Sequence, residues 1–215
     1  MIEYKPKILL YGNCQCSVIA NWLNKFDCLE LLQPESYGLN ISYDWEKSTF
    51  FPGSILKNTA LLEALNDADY FIFHDVSNPK FFASKYLYDQ FDSKKTCITN
   101  FRLKLPTQLN EQSITNSVKT DINELDRRAS IMKSRYKSDY IDMSKWIEDN
   151  WKRKCLWGNK MLHPTMFYYI ELFRQIKNKL ELNIDPTKNI PTRSHPLLSQ
   201  NKIVRIQEIF PNIEI

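Results

Sequence analysis

The sequence predicts an α/β fold, in which a small parallel β-sheet with flanking helices forms three layers and a helical C-terminal half packs on it. Short apolar, β-prone runs alternate with amphipathic segments of helical periodicity in residues 1–105. A glycine turn joins the first apolar run to the first helix, and residues 118–215 are mainly helical in pattern. Since alternating strands and helices need crossover connections, we expect parallel strands within a single domain spanning residues 1–215.

Each element of the first half has its own pattern. Strands are predicted at 7–11, 28–32, 69–73 and 96–99, and helices at 15–25, 58–66 and 79–90. Pro79 stands at the start of the third helix, where its missing N–H costs nothing. The segment 33–53, between the second strand and the second helix, is aromatic and irregular. A loop of this length in a compact domain is often functional.

The second half changes character. Helical periodicity predicts helices at 122–136, 143–151, 165–180 and 201–210. The polar segment Asn110–Ser117 is expected to be mobile. Trp146, Trp151 and Trp157 are expected to belong to the core rather than to a surface that stacks on ligands.

Composition narrows the function classes. The chain has 215 residues and a net charge of +4, which suits anionic ligands but is too small a basic excess to predict nucleic-acid binding. Its five cysteines form no disulfide pattern and indicate a reducing compartment. With three histidines a zinc cage is not expected, even around Cys14 and Cys16. No apolar run approaches the ~20 residues of a membrane span, so a cytoplasmic protein without membrane insertion is expected.

The turn Gly12-Asn13-Cys14-Gln15 carries the strongest functional pattern. It places Cys14 after a buried strand and at the start of a helix, where open α/β sheets bind their ligands. Free N–H groups at a helix N-terminus favour thiolate over thiol. Cys14 is therefore a candidate nucleophile, and the alternative is a small packed thiol.

Two further segments can meet this turn. Because parallel strands end at one edge of the sheet, the residues after the third strand become secondary site candidates: His74, Asp75, Ser77 and Asn78. His163 precedes a proline that starts a helix, so it lies in an extended linker.

A nucleophile paired with a base is the chemistry that these residue types support. Neutral His163 can take a proton from the Cys14 thiol or from an acceptor group. Backbone N–H groups after Gly12, with the amides of Asn13 and Gln15, can hold a developing oxyanion. For His74 three roles stay open: a second base, an orienting group, or a strand-end histidine bonded to backbone.

The chain resembles the WcbI-like polysaccharide-biosynthesis acetyltransferase family over about residues 7–176. The resemblance rests on Gly-Asn-Cys-Gln at 12–15 and His-Pro-Thr at 163–165, with the segments 136–142, 146–147, 150–151 and 156–157 between them. It implies a fold related to the SGNH hydrolases and to flavodoxin-like three-layer sheets, with Cys14 where those hydrolases carry serine. It also implies that Cys14 and His163 are the catalytic pair. The family commonly has Asn before its His-Pro, where this chain has Leu162, and an acid that orients His163 is not identified.

The resemblance further implies coenzyme A or acetyl-CoA as cosubstrate, no metal, and acetyl transfer to a sugar or nucleotide-sugar in glycan assembly. Both ligands can carry phosphate, and the basic candidates for binding it are Arg102, Lys104, Arg127, Arg128, Lys152 and Arg153. Two other functions stay open, an SGNH-type esterase or deacetylase and a non-catalytic sugar- or nucleotide-binding module.

Overall fold

A computed structural model of the protein describes residues 4–12, 14–32, 59–76, 83–158, 164–188 and 198–215, and of residues 14, 17, 59 and 60 the backbone alone. The strands are β1 (Lys7–Tyr11), β2 (Glu30–Leu31), β3 (Tyr70–Phe73), β4 (Lys94–Ile98) and β5 (Tyr140–Ile141). The helices are α1 (Cys14–Leu23), α2 (Thr59–Asp67), α3 (Ser84–Gln90), α4 (Glu111–Tyr136), α5 (Ser144–Asn150), α6 (Met166–Leu180) and α7 (Gln200–Ile209). Within these residues no helix is both long and apolar enough to cross a membrane.

The five strands form one sheet in the order β2-β1-β3-β4-β5, and every pair in it is parallel. The chain therefore passes from β1 to β2 on one side. From β2 it crosses back to the other side of β1, where β3, β4 and β5 follow in order. Such a reversal opens a crevice at the carboxyl ends of the two strands, which end at Tyr11 and Phe73.

Alternate residues of each strand enter two different cores. Leu10, Ile72 and Ile98 face the larger cluster, to which α1, α4, α5, α6 and α7 contribute. Leu9, Phe71 and Cys97 face the smaller cluster with α2 and α3. Because side chains alternate along a strand, a sheet covered on both faces has apolar residues at successive positions, as Ile8-Leu9-Leu10 of β1 and Phe71-Ile72-Phe73 of β3 show. The result confirms the predicted three-layer α/β architecture.

The second half differs from expectation at two places. Residues 110–117 were expected to be mobile, but helix α4 begins at Glu111, because the Asn110 side chain accepts a 2.8 Å hydrogen bond from the Ser113 N–H and caps it. The sheet also has a fifth strand, Tyr140–Ile141, which is too short to show a period in the sequence. The predicted start of the third helix, 79–82, and the segment 33–53 lie outside the described residues.

Helix α6 fixes the helical half against the sheet's carboxyl edge. The Tyr168 hydroxyl, in its first turn, donates a 3.1 Å hydrogen bond to the Thr99 carbonyl just after β4. At the other end Glu181 pairs with Lys94, the first residue of β4. The helix thus runs antiparallel to β4, and its N-terminus lies where the strands end. Trp151 and Trp157 are buried in the same core and Trp146 packs against it, as predicted.

Candidate functional site

Gly12 follows β1 where two elements come close together. A Cβ atom at this position would lie 2.6 Å from Nδ1 of His74 and 2.8 Å from Sγ of Cys16. Real Cβ atoms do not approach other atoms so closely, so glycine is required here by space. Gly12 thereby allows the end of β3 and helix α1 to close on the turn.

His74 and Cys16 form a buried pair beside this turn. Nδ1 of His74 lies 3.0 Å from Sγ of Cys16, and both side chains are buried. Burial lowers the pKa of His74 to about 3, so its imidazole is neutral at pH 7. The Ser84 hydroxyl donates a 2.6 Å hydrogen bond to the His74 carbonyl and holds the backbone. Nε2 of the ring is buried and has no hydrogen-bond partner among the described residues.

Gln15 links helix α1 to the segment after β4. Its Nε2 donates to the Phe101 carbonyl and its Oε1 accepts from the Phe101 N–H, both at 3.0 Å. The side chain is buried, so these two bonds satisfy a buried peptide. They hold the first turn of α1 against the carboxyl end of β4. An oxyanion-binding role for the Gln15 amide stays a prediction.

The same segment reaches helix α6. The ring of Phe101 packs on the ring of Tyr168, with centroids 4.7 Å apart. Two residues before α6, Pro164 forms an antiparallel bridge with Trp157, and the Thr165 hydroxyl donates a 2.7 Å hydrogen bond to the Cys155 carbonyl. A continuous series of contacts therefore joins the residue after Cys14 to the helix that follows His163. Asn13, the Cys14 side chain and His163 lie outside the described residues, and their meeting stays a prediction.

The Asp75 side chain lies in an ion-pair cluster. Both of its oxygens accept hydrogen bonds from Nη1 of Arg135, at 2.8 and 2.7 Å, and one also accepts from the Tyr136 hydroxyl. Burial and this carboxylate raise the pKa of Tyr136 well above its usual value, so the phenol remains a donor. The other two candidates after the third strand, Ser77 and Asn78, lie outside the described residues.

A cavity of about 210 Å³ opens beside Asp75 at the carboxyl ends of β3, β4 and β5. Its lining residues are Asp75, Ile98, Thr99, Asn100, Leu125, Arg128, Met132 and Tyr140. Sequence reasoning identified Asp75 and Arg128 but not Thr99 and Asn100. The pattern that could have found them is the one used for strands one and three, namely polar residues directly after an apolar strand.

The six basic candidates differ in their surroundings. Of the six, Arg128 is the residue that lines the cavity within the described structure. Its Nε donates a 2.6 Å hydrogen bond to Glu124. Arg127 is exposed and binds the same carboxylate through two nitrogens. The guanidiniums lower the pKa of Glu124 to about 2. Lys152 lies over the Trp151 ring, 5.3 Å from its centroid. The remaining three, Arg102, Lys104 and Arg153, are exposed.

Among the residues that the structure describes, no group of three or more histidine, cysteine, aspartate or glutamate side chains is arranged to hold an ion. Cys16 contacts His74, and Cys97 and Cys155 are buried at other places in the core.

Comparison with known proteins gives a likeness in fold. No protein-family model matches the chain, and no curated protein matches its sequence. The solved structure of WcbI, described as a novel polysaccharide biosynthesis enzyme, matches 98% of this chain and 91% of its own, with a TM-score of 0.60 and 15% identity. That structure is of the native protein without a disulfide bond between coenzyme A and its own Cys14. The likeness confirms the WcbI-like α/β fold that the resemblance implied.

Proposed function

We propose that this protein is an acetyl-CoA-dependent acetyltransferase that acts on a sugar or nucleotide-sugar in glycan biosynthesis, through Cys14 and His163. The observation that carries the proposal is the series of contacts from Gln15 through Phe101 to Tyr168. It brings the residue next to Cys14 and the helix next to His163 to one edge of the sheet. The likeness in fold to WcbI, whose description names coenzyme A and polysaccharide biosynthesis, supports the same function.

The position of Cys14 supports its role as nucleophile. It is the first residue of α1, whose free N–H groups stabilise a negative charge nearby. The turn before it follows the carboxyl end of β1, next to β3. α/β sheets with this strand order bind ligands in the crevice between these two strands. We expect a thiolate at this position to reach a ligand in the crevice.

In the covalent route His163 takes the Cys14 proton, and the sulfur attacks the carbonyl carbon of acetyl-CoA. The bond from that carbon to the coenzyme A sulfur breaks, and coenzyme A leaves with the proton from His163. An acceptor hydroxyl or amine then attacks the acetyl-cysteine, while His163 takes the acceptor's proton. The Cys14 sulfur leaves and recovers a proton from His163, so the enzyme returns to its starting state.

In the direct route the acceptor attacks acetyl-CoA itself. His163 takes the acceptor's proton and passes it to the departing coenzyme A sulfur, and Cys14 shapes the site. A short incubation with acetyl-CoA and no acceptor, followed by intact-mass measurement, separates the two routes. An added acetyl group that is absent from Cys14→Ser but present in Cys28→Ser supports the covalent route. An unmodified chain together with a fully active Cys14→Ser variant excludes it.

Binding of coenzyme A tests the proposal as a whole. We expect coenzyme A and acetyl-CoA to raise the melting temperature, because a ligand that binds only the folded state stabilises it. A panel of nucleotide-sugars in the same assay identifies the acceptor class. No stabilisation at millimolar coenzyme A, together with hydrolysis of a chromogenic acetyl ester, would replace the transferase with an esterase. If coenzyme A does not stabilise the protein and the ester is not hydrolysed, the transferase and the esterase both fall. A sugar- or nucleotide-binding module without catalysis is then the remaining function.

A further inference from the structure

We propose that the cavity at the carboxyl ends of β3, β4 and β5 binds the acceptor as a single hydroxyl-rich sugar ring carrying one anionic group. This inference rests on the proposed function and adds the acceptor's binding site and chemical class to it. The hydrogen-bonding capacity, apolar surface, size and charge of the cavity favour such a ligand, and the cavity lies beside the turn that bears Cys14.

Two cavity residues have hydrogen-bonding capacity to spare. The half-buried Asn100 amide makes no hydrogen bond with any described residue, and of the Arg128 nitrogens Nε alone does so, to Glu124. An amide offers donors and an acceptor, and the terminal nitrogens of a guanidinium offer donors. A ring with several hydroxyl groups satisfies such a mixed set.

Asp75 adds an acceptor whose position is fixed. Arg135 and Tyr136 hold its carboxylate from the side of α4, so the side chain cannot turn freely. A carboxylate has about four acceptor sites, and these bonds use three. The remaining capacity is available to a hydroxyl in the cavity.

Apart from Thr99 and the Tyr140 hydroxyl, the rest of the lining is apolar. Ile98, Leu125 and Met132 line the cavity together with the ring of Tyr140. A sugar ring presents C–H groups on its faces and hydroxyls at its edge, so it matches a lining with both characters. The volume, about 210 Å³, is below the ~300 Å³ of typical small-molecule pockets and admits one ring rather than a whole nucleotide-sugar.

Charge favours an anionic group on that ring. Asp75 is balanced by Arg135, whereas Glu124 is shared by Arg127 and Arg128. Arg128 is thus the cation that lines the cavity among the described residues, and its terminal nitrogens are bonded to neither carboxylate. The Arg128 guanidinium can meet a carboxylate or phosphate with two parallel hydrogen bonds.

The cavity also lies beside the proposed reaction centre. Asp75 directly follows His74, which would contact a side chain at position 12, and Asn100 directly precedes Phe101, whose peptide binds Gln15. Gly12, which precedes Asn13, thus lies close to the neighbour of Asp75. Gln15, which follows Cys14, binds the neighbour of Asn100. A hydroxyl of a bound ring would be held close to the turn.

The test is a titration of the full chain with D-glucuronate and D-glucose, followed by ligand-observed NMR. We expect saturable binding of glucuronate and weaker binding of glucose. Arg128→Met should weaken glucuronate binding about tenfold, the loss of a charge-assisted hydrogen bond. The matched control is Arg127→Met, because Arg127 binds the same glutamate from outside the cavity. This substitution should leave the affinity for glucuronate within about twofold.

A second variant guards against a folding defect. Met132→Phe narrows the cavity without removing a polar group, and it should also weaken glucuronate binding. No saturable binding, or equal effects of Arg128→Met and Arg127→Met, overturns the proposal.

Stabilisation by coenzyme A separates this inference from the proposed function. If Arg128→Met abolishes that stabilisation instead, the arginine contacts the cosubstrate and the cavity proposal falls. If glucuronate binding depends on Arg128 but coenzyme A never binds, the cavity stands and the transferase falls.

Discussion

Nδ1 of His74 lies 3.0 Å from the Sγ atom of Cys16, and this pair closes on the space where any side chain at position 12 would begin. One contact thus joins the end of β3 to the first helix at the topological switch of the sheet. Gly12, which precedes the predicted nucleophile by two residues, therefore packs against a neutral imidazole and a thiol.

Replacing Gly12 with alanine should destabilise the fold by about 1–3 kcal/mol, because the new methyl group overlaps His74 and Cys16. Chemical denaturation measures the loss. Removing the sulfur should relieve part of the overlap, so Gly12→Ala should cost less in a Cys16→Ala background. An equal cost in both backgrounds would show that the Cys16 sulfur does not contribute to the clash.

The neutral state of His74 should make stability depend on pH. Its pKa is about 3 in the folded protein and near 6.5 when unfolded, so between these values the unfolded chain binds the extra proton. The contribution of His74 is complete above pH 6.5 and is lost as pH falls toward 3. The difference in unfolding free energy between the wild type and His74→Gln should change by up to ~1.4 kcal/mol per pH unit in that window. A difference that does not vary with pH would contradict a buried neutral imidazole.

Loss of the Gln15 side chain should leave the Phe101 peptide without its two partners. Since a buried unsatisfied group costs about 1–3 kcal/mol, Gln15→Ala should lower the unfolding free energy by at least 2 kcal/mol, on the order of one such loss per group. Gln112→Ala is the matched control, because that side chain is exposed and bonds only to Asn116 in the described structure. Similar effects of the two substitutions would argue against the link between α1 and β4.

Local patterns predicted the elements that position the turn. β1 and β3 were predicted from short apolar runs, and α1 from apolar residues at helical spacing. Both patterns depend only on residues that are close in the sequence. The two-residue strand β5 forms because it lies beside β4, with Cys97 opposite Tyr140, and no local pattern contains that neighbour. The start of α4 was missed for a different reason, since one capping side chain, Asn110, decides it.

The candidate site was predictable to the extent that it depends on topology. Parallel strands end at one edge, so Gly12 and His74 were expected to be neighbours, and they are. The contacts of Asp75 with Arg135 and of Gln15 with Phe101 span 60 and 86 residues. Such pairings depend on how helices pack on the sheet, and a single sequence does not encode them in a readable form.

Cysteine reactivity connects the fold to the proposed chemistry. Cys16, Cys97 and Cys155 are buried, and burial raises the pKa of the Cys97 and Cys155 thiols, so these three should react with iodoacetamide only after unfolding. Cys28 is exposed and should react in the native protein. If Cys14 is the nucleophile, it should react faster than Cys28 near pH 7, because the helix N-terminus favours its thiolate.

Peptide mass mapping over time gives the rate at each cysteine, and coenzyme A should protect Cys14 while leaving Cys28 unchanged. The exposed Cys28 is thus the internal control for reagent and pH. If Cys14 reacts as slowly as Cys16 in the native protein, its sulfur is a packed core atom. The covalent route would then lose its nucleophile, whereas the buried pair of Cys16 and His74 would remain as described.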